Sequence, residues 1–193
     1  MKTNHGTCSE NRGWSRIAMR AALVLCLAVA CLPESALAND VSIEHKIKAA
    51  FTFNFIKYID WAEKSSDPAD SEFVISIIGD GPINSALAEL ENKEVFGKPL
   101  KVRFVPDLES AGPSNVYFIN VSAQEELDSI FQKARQWGVL TVGEMDEFCE
   151  RGGIINFVIL DDSIHFEINQ KEAQRAHLSI SYKLLNQASR VIR

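Results

Sequence analysis

The stretch that decides the fold reads Val139-Leu-Thr-Val-Gly-Glu144, then Arg151-Gly-Gly-Ile-Ile-Asn-Phe157, then Ile164-His-Phe-Glu-Ile-Asn169. Its apolar runs predict three buried strands, with a glycine turn between the first two. Only Asp161-Asp-Ser163 links the strands at 154–160 and 164–168. A link this short predicts an antiparallel hairpin, because a parallel crossover needs about a dozen residues or more.

Upstream of this stretch, apolar strands alternate with helical segments. Phe73-Val-Ile-Ser-Ile-Ile78 is a continuous apolar run, which is typical of a strand covered on both faces. Further strands are predicted at 100–105 and 116–119, with a short helix through Leu90 before them and a helix around Gln124 to Arg135 after them. This alternation indicates an α/β fold with three layers, helix–sheet–helix, and a mostly parallel sheet. We expect the strand that starts at Phe73 to be central and the antiparallel hairpin to lie at one edge.

Two longer helices are predicted at the ends of this region. Apolar residues from Ile43 to Ile59 recur at three- and four-residue steps, which indicates an amphipathic helix that ends at Trp61. Asn39 and Asp40 are its candidate N-caps. From Gln170 onward, we expect one final helix, with one apolar side formed by Ala173, Ala176, Leu178, Ile180, Leu184, Leu185 and Ile192.

The first 38 residues have the pattern of a secretory signal peptide. Three arginines precede an apolar run from Ala21 to Leu32, and Ala36-Leu-Ala38 is a small-x-small cleavage site. The apolar run is shorter than the roughly 20 residues that a membrane span needs. We therefore expect export to the periplasm with cleavage after Ala38, a single domain over residues 39–193, and no direct membrane insertion. Lipidation of Cys31 is the alternative.

Charge and cysteine content restrict the possible partners. The chain has a net charge of −6, and residues 1–38 contribute four basic against two acidic residues, so the mature part is more acidic still. An acidic surface argues against nucleic acid, whose binding depends on Lys and Arg. Cys149 is the single cysteine after residue 38. It cannot form an intramolecular disulfide, which leaves a buried thiol or a bond between subunits in a possible homodimer.

The loop Gly79-Asp-Gly-Pro82 follows a buried strand, which suggests a phosphate loop. It lacks both the Gly-Lys-Ser/Thr of a P-loop and the G-x-G-x-x-G of a dinucleotide site, so a tight turn is the preferred interpretation. The carboxyl ends of parallel strands are nevertheless where α/β sheets bind ligands. Four polar residues are predicted to line a shallow cleft there: Asp80, Thr141, Glu144 and Arg151.

Catalytic and metal motifs give no positive signal. There is no G-x-S-x-G motif, and His45, His165 and His177 lie on separate predicted elements. A zinc site built from these histidines and Cys149 would lack a closely spaced pair of ligands. We expect no enzymatic activity, no metal and no cofactor.

Two blocks of the chain resemble one family. The C-terminal stretch, which closes with Leu178-Ser-Ile-Ser-Tyr-Lys-Leu-Leu185, resembles the YfiR family of periplasmic proteins that repress membrane-bound diguanylate cyclases. Ile47-Lys-Ala-Ala-Phe51 and Phe55-Ile-Lys-Tyr-Ile-Asp-Trp61 resemble the first helix of that family. Family members often have paired cysteines around the loop that holds Cys149, whereas this chain has one, so control by an internal disulfide is not expected.

The signature Phe166-Glu-Ile-Asn169 has a structural and a functional interpretation. In the structural one, Phe166 and Ile168 are buried, Asn169 caps the next helix, and Glu167 pairs with Arg175. In the functional one, Glu167, Asn169 and Arg175 form a partner-docking surface. Lys48, Phe51, Asn54 and Trp61 on the first helix present the same choice between core and interface. Phe51 and Phe55 are predicted to be core, and Trp61 at the helix end is the better interface candidate.

The resemblance implies a periplasmic regulator that binds the periplasmic sensor domain of an inner-membrane diguanylate cyclase and represses it. Such repression would lower cyclic di-GMP and biofilm formation. A ligand-binding module that uses the cleft and acts on a sensor kinase or another membrane receptor is the alternative. A neighbouring gene for a membrane protein with a GGDEF domain favours the first hypothesis, and one for a sensor kinase favours the second.

Overall fold

The computed structural model describes residues 41–61 and 71–193. The predicted signal peptide, Cys31, and the proposed caps Asn39 and Asp40 lie outside the described residues. The helices are α1 Ile43–Lys57, α2 Asn84–Ala88, α3 Leu127–Trp137, α4 Phe148–Arg151, α5 Gln170–Arg175 and α6 Tyr182–Leu185. Two 3₁₀ segments cover Glu109–Ala111 and Val121–Glu126.

Ten strands form two sheets within the described residues. They are β1 Ile59–Asp60, β2 Phe73–Ile78, β3 Glu94–Val95, β4 Lys98–Val105, β5 Val116–Ile119, β6 Leu140–Gly143, β7 Ile155–Leu160, β8 Ser163–Asn169, β9 Ser179–Ile180 and β10 Arg190–Ile192. The main sheet has the order β10-β8-β7-β6-β5-β2-β4-β3, and β1 pairs with β9 in a second, two-stranded sheet.

The main sheet is mostly parallel, as the sequence predicts. Strands β4, β2, β5, β6 and β7 run in one direction, β7 and β8 form the predicted antiparallel hairpin, and β2 lies inside the sheet between β4 and β5. All six residues of β2 are buried. The hairpin does not lie at the edge as expected, because β10 pairs parallel with β8 and forms the edge of the sheet beyond it.

Two hydrophobic clusters cover the two faces of this sheet. One joins α1, α2 and α5 to the face that carries Phe73, Phe157 and Phe166. The other joins α3 and α4 to the face that carries Ile78 and Tyr117. These clusters are the two interfaces of a helix–sheet–helix fold, so the predicted three-layer architecture is confirmed.

Helix α1 begins later and ends earlier than the sequence suggests. Ser42 is its N-cap, and the Ser42 side chain makes no capping hydrogen bond. The helix ends at Lys57 rather than Trp61, because Ile59 and Asp60 pair with Ile180 and Ser179 as a short antiparallel ladder. The backbone of this ladder needs extended residues, which ends the helical periodicity before Trp61.

The single final helix predicted from Gln170 is wrong. Helix α5 ends at Arg175, and His177 has a left-handed backbone with a φ of 57°. The Leu178 amide then donates to the Ala173 carbonyl at 2.9 Å, which closes the helix end. After it the chain forms β9, α6 and β10, so the apolar residues in this region serve three short elements instead of one helix face.

A candidate site at the carboxyl ends of the parallel strands

A cleft of about 440 Å³ lies where the parallel strands end. Residues that follow β2, β5 and β6 line it, and the first turn of α1 closes one side. Its lining includes His45, Asp80, Asn120, Ser122 and Glu144. Carboxyl ends of neighbouring parallel strands are the usual position for a binding cleft in this class of fold.

Glycines in the loop after β2 permit close contact with the segment after β5. A Cβ on Gly81 would lie 2.1 Å from the Asn120 side-chain oxygen, and one on Gly79 would lie 2.4 Å from Ser122 Oγ. Gly79 also has a φ of +80°, which favours glycine. Both positions therefore require glycine if the two segments are to pack as they do.

The backbone of this loop already has hydrogen-bond partners. The Gly79 amide donates to the Val105 carbonyl at 2.9 Å, and the Asp80 amide donates to Ser122 Oγ at 2.7 Å. Asn120 Nδ2 donates to the Gly79 carbonyl at 3.1 Å. A phosphate loop needs free amides that point at the ligand. The arrangement supports the tight-turn interpretation of Gly79-Asp-Gly-Pro82.

Lys48 connects α1 to the end of β6. Its side chain is fully buried, and its ammonium group donates to the carboxylates of Glu44 and Glu144. Burial disfavours the charged form, but the hydrogen bonds to Glu144 and Glu44 outweigh it and raise the pKa of Lys48 above its ordinary value. The same hydrogen bond from Lys48 lowers the pKa of Glu44. The charges fix the helix against the sheet at the wall of the cleft.

The structure brings together two of the four predicted cleft residues. Asp80 and Glu144 both line the cleft. Thr141 is buried in β6, where its Oγ1 accepts a hydrogen bond from the Ile154 amide at 2.9 Å. Arg151 is exposed on α4, 3.9 Å from Asp128 of α3, and does not line the cleft. Thr141 does not line the cleft because it lies inside β6 rather than after it, and Arg151 does not because it lies on α4 beside α3.

Sequence reasoning missed three polar residues of the cleft. Asn120 and Ser122 directly follow β5, so the rule that identified Asp80 could have identified them too. His45 belongs to the first turn of α1, and its position becomes evident only from the contact between Lys48 and Glu144.

Two of the four predicted partner-binding residues are buried. Trp61 is 4% exposed; its ring packs edge-on against Phe73 and its Nε1 donates to the Ile56 carbonyl at 3.0 Å. Trp61 is therefore a core residue, and its predicted role in partner binding stays a prediction. Asn169 is the N-cap of α5, as predicted, and accepts a hydrogen bond from the Glu172 amide at 3.0 Å.

Glu167 and Arg175 are ion-paired, but with other residues. Glu167 accepts two hydrogen bonds from Arg190, at 3.0 and 2.8 Å, because β10 lies beside β8 in register. Arg175 pairs with Glu172 one turn earlier on α5. The predicted Glu167–Arg175 pair is wrong for this reason. A role for either residue in partner binding stays a prediction.

Cys149 is a buried thiol. It is fully enclosed, and its sulfur lies 3.8 Å from the carbonyl oxygens of Ile154 and Glu167. Burial, together with the charges of Glu167 and Glu150, raises the pKa of the thiol to about 12. A thiolate is the reactive form, so this cysteine is poorly suited to disulfide exchange between subunits.

Within residues 41–61 and 71–193, no group of three or more His, Cys, Asp or Glu side chains is arranged to hold a metal ion. The helices in these same ranges are too short or too polar for any of them to cross a membrane.

The comparisons with known proteins agree with this fold. A model of the family described as YfiR/HmsC-like matches residues 45–189, and the chain belongs to that family. A conserved domain protein from Vibrio cholerae O1 biovar El Tor has a similar solved structure, with a TM-score of 0.52 and 11% identity, covering 76% of this chain. This chain spans 60% of the length of that structure.

The solved ABC domain from Streptococcus pneumonia, in complex with L-Trp, is less similar, with a TM-score of 0.45 and 12% identity over 62% of this chain and 55% of that one. No curated protein matches the chain. Membership of the YfiR/HmsC-like family indicates a periplasmic regulatory protein in the context of cyclic di-GMP signalling.

Proposed function

We propose that this protein represses an inner-membrane diguanylate cyclase by binding the periplasmic sensor domain of that enzyme. The family match over residues 45–189 is the observation that supports the proposal. The physical basis is linkage: a protein that binds the inactive state of the cyclase more tightly than the active state shifts the population toward the inactive one. Loss of the protein would then raise cytoplasmic cyclic di-GMP and favour biofilm formation.

The charged groups at the cleft suit a binding protein better than a catalyst. Glu144 is held by Lys48, and the pKa values of Lys48 and Glu44 are moved away from neutral pH rather than toward it. A general acid or base works best with a pKa near the operating pH. These side chains therefore stabilise the wall of the cleft instead of moving protons.

The test is the cyclic di-GMP content of a strain that lacks the gene, measured by mass spectrometry. Deletion should raise it, and the full chain should restore the original level. The matched control is a chain without residues 1–38, which should stay in the cytoplasm and should not restore repression. A deletion strain with unchanged cyclic di-GMP would contradict the proposal.

A small-molecule binding module is the second candidate, and the cleft of about 440 Å³ favours it. That volume lies within the usual range for ligand pockets. Native mass spectrometry of protein purified from the periplasm would detect a retained small molecule. An Asp80→Lys variant should lose it, whereas Asp128→Lys, which is not part of the cleft lining, should keep it. If neither the wild-type protein nor the Asp128→Lys variant retains a small molecule, this candidate function is contradicted.

A further inference from the structure

Exposed large apolar side chains concentrate at the carboxyl ends of the parallel strands. Phe104 precedes the last residue of β4, Val121 follows β5, and Ile159 and Leu160 end β7. All four are between 45% and 57% exposed. Large exposed apolar patches on soluble proteins commonly mark interaction sites.

The first two turns of α1 belong to the same end of the molecule. Ile43 and Ile47 are 78% and 41% exposed. Lys48, next to Ile47, contacts Glu144 just after β6, and this contact places the start of α1 over the carboxyl ends of the strands. Phe96 and Tyr182 are the other exposed large apolar residues of the described ranges; Phe96 lies at the opposite end, before β4 starts, and Tyr182 lies on α6.

Helix α1 and the hairpin adjoin on one face. The Phe51 ring lies 6.4 Å from the Phe157 ring and 5.9 Å from the Phe166 ring, between ring centres. Ile47 is one turn before Phe51, and Ile159 is two residues beyond Phe157 on the same side of β7. The apolar side chains of the helix and of the hairpin therefore continue one surface rather than forming separate patches.

Carboxylates surround these apolar side chains. Asp80 and Glu144 line the cleft that Val121 also lines. Asp161 and Asp162 form the exposed hairpin turn, with φ angles of 48° and 56°. Lys48 is buried and already bonded to carboxylates, so it adds no exposed positive charge. Lys46, between Ile43 and Ile47, is exposed as well, so the surface has an apolar middle around which carboxylates outnumber cations.

The charges around the apolar side chains indicate which kind of protein could bind there. A second copy of the chain would bring the same carboxylates to the interface, and like charges that face each other at an interface oppose association. A partner that has apolar side chains flanked by Lys and Arg would match both the exposed apolar side chains and the carboxylates around them. Such complementarity also accelerates association, since opposite charges steer the encounter.

We propose that a docking surface, called here the carboxyl-end surface and consisting of Ile43, Ile47, Phe104, Val121 and Ile159, binds a protein partner that presents apolar side chains flanked by Lys and Arg. The inference rests on the proposed function, in that the partner is the periplasmic domain of the cyclase. It places docking away from the residues of the Phe166–Asn169 signature, whose polar groups are already paired within the molecule.

Site-specific photo-cross-linking in the living cell tests this surface. The full chain is made with p-benzoylphenylalanine at position 121, at position 159 or, as the matched control, at position 182. All three positions are exposed in the native protein, with Tyr182 at 73%, so replacement should leave the fold intact. The melting temperature and periplasmic abundance of each variant verify this. Positions 121 and 159 should cross-link to a membrane protein that carries a GGDEF domain, and position 182 should not.

Other cross-linking results would separate the proposed surface from the proposed repressor function. A cross-link from position 182 alone to a GGDEF protein would overturn the carboxyl-end surface while the proposed repressor function stands. Cross-links from 121 or 159 to a second copy of this chain, or none at all, would also overturn it. If the deletion strain has unchanged cyclic di-GMP, the repressor function falls by that separate measurement; cross-links from 121 and 159 to a GGDEF protein would still support the surface.

Discussion

The two ends of the sheet differ in whether their side chains are paired within the molecule or exposed to solvent. At the end where the parallel strands begin, Glu172 is almost buried and accepts hydrogen bonds from Arg135 and Arg175. Trp61 and Asn169 at this end both direct their polar atoms to backbone groups. At the carboxyl end, large apolar side chains remain exposed beside carboxylates.

The difference separates stability from recognition. Polar groups that bond to one another inside the molecule have little left to offer a partner, and their removal costs folding free energy. Exposed apolar groups contribute little to folding, because they are not withdrawn from water, yet they contribute to binding when a partner covers them. Variants of the paired groups at the first end should therefore change stability, and variants of the exposed apolar side chains at the carboxyl end should change function.

The largest expected effect is that of Trp61→Ala. Removal of a buried aromatic side chain that packs on Phe73 should lower the free energy of unfolding by about 3–5 kcal/mol. Denaturant unfolding of the purified mature protein measures it, with Tyr182→Ala as the exposed control, for which little change is expected. A Trp61→Ala variant with unchanged stability and reduced repression would return Trp61 to the partner interface that the sequence suggested.

A smaller decrease in the free energy of unfolding is expected for Glu172→Ala. The carboxylate accepts hydrogen bonds from two arginines, and bonds of this charged kind contribute about 1.5–3 kcal/mol. Arg135 and Arg175 are partly exposed and regain water when the carboxylate is removed, which limits the cost. The control is Asp128→Ala, whose side chain is 89% exposed and should contribute nothing measurable. Equal stability of the two variants would show that the pairing at this end is not structural.

The pH dependence of stability should report the Lys48 contact at the carboxyl end. Lys48 holds the pKa of Glu44 below its ordinary value of 4.5 in the folded state. The contribution of Glu44 is therefore present above that value and is lost as the pH falls through the folded pKa. Lys48→Met should make the free energy of unfolding depend less steeply on pH below 4.5.

The matched control for this measurement is Lys57→Met, since Lys57 lies over the Phe53 ring, 4.2 Å from its centre. Its replacement should leave the acid slope unchanged. An unchanged slope in Lys48→Met would mean that the contact between α1 and β6 does not exist in solution.

The smallest effect concerns Cys149, whose thiol should not react in the native protein. Burial raises the pKa of the thiol to about 12 and also blocks access to it. Residues 39–193 treated with N-ethylmaleimide at pH 8 should gain no mass until denaturant is added, whereas a Tyr182→Cys variant should react at once at the new position. Rapid modification of Cys149 in the folded protein would contradict its placement in the core.

Most of the fold could be predicted from the sequence because its strands are apolar throughout. Phe73–Ile78 has no polar side chain apart from a serine, and the three-residue link at 161–163 permits only a hairpin. The last 24 residues could not be predicted in the same way. Ala176, Leu178 and Ile180 recur every two residues, which is the period of a strand, but the short strand β9 forms only by pairing with Ile59 and Asp60, more than 100 residues away.

The site residues were predicted only in part, because some of their contacts depend on strands that are distant in sequence. Asp80 and Glu144 follow strands whose direction the alternation of elements already fixes, so their meeting at one end could be inferred. Glu167 was predicted to pair with Arg175 because the β10 strand that supplies Arg190 was not foreseen. Exposed apolar residues such as Val121 and Ile159 gave no signal, because an apolar residue in a sequence is first assigned to the core.

Cyclic di-GMP in the deletion strain, complemented by variants of each end, tests the central claim most directly. One variant combines Val121→Glu with Ile159→Glu at the carboxyl end, and the other is Arg175→Ala. At equal periplasmic abundance, the first should leave cyclic di-GMP as high as in the deletion strain, and the second should restore the wild-type level. The opposite pattern would contradict the account and would return the docking surface to the signature region around Glu167 and Arg175.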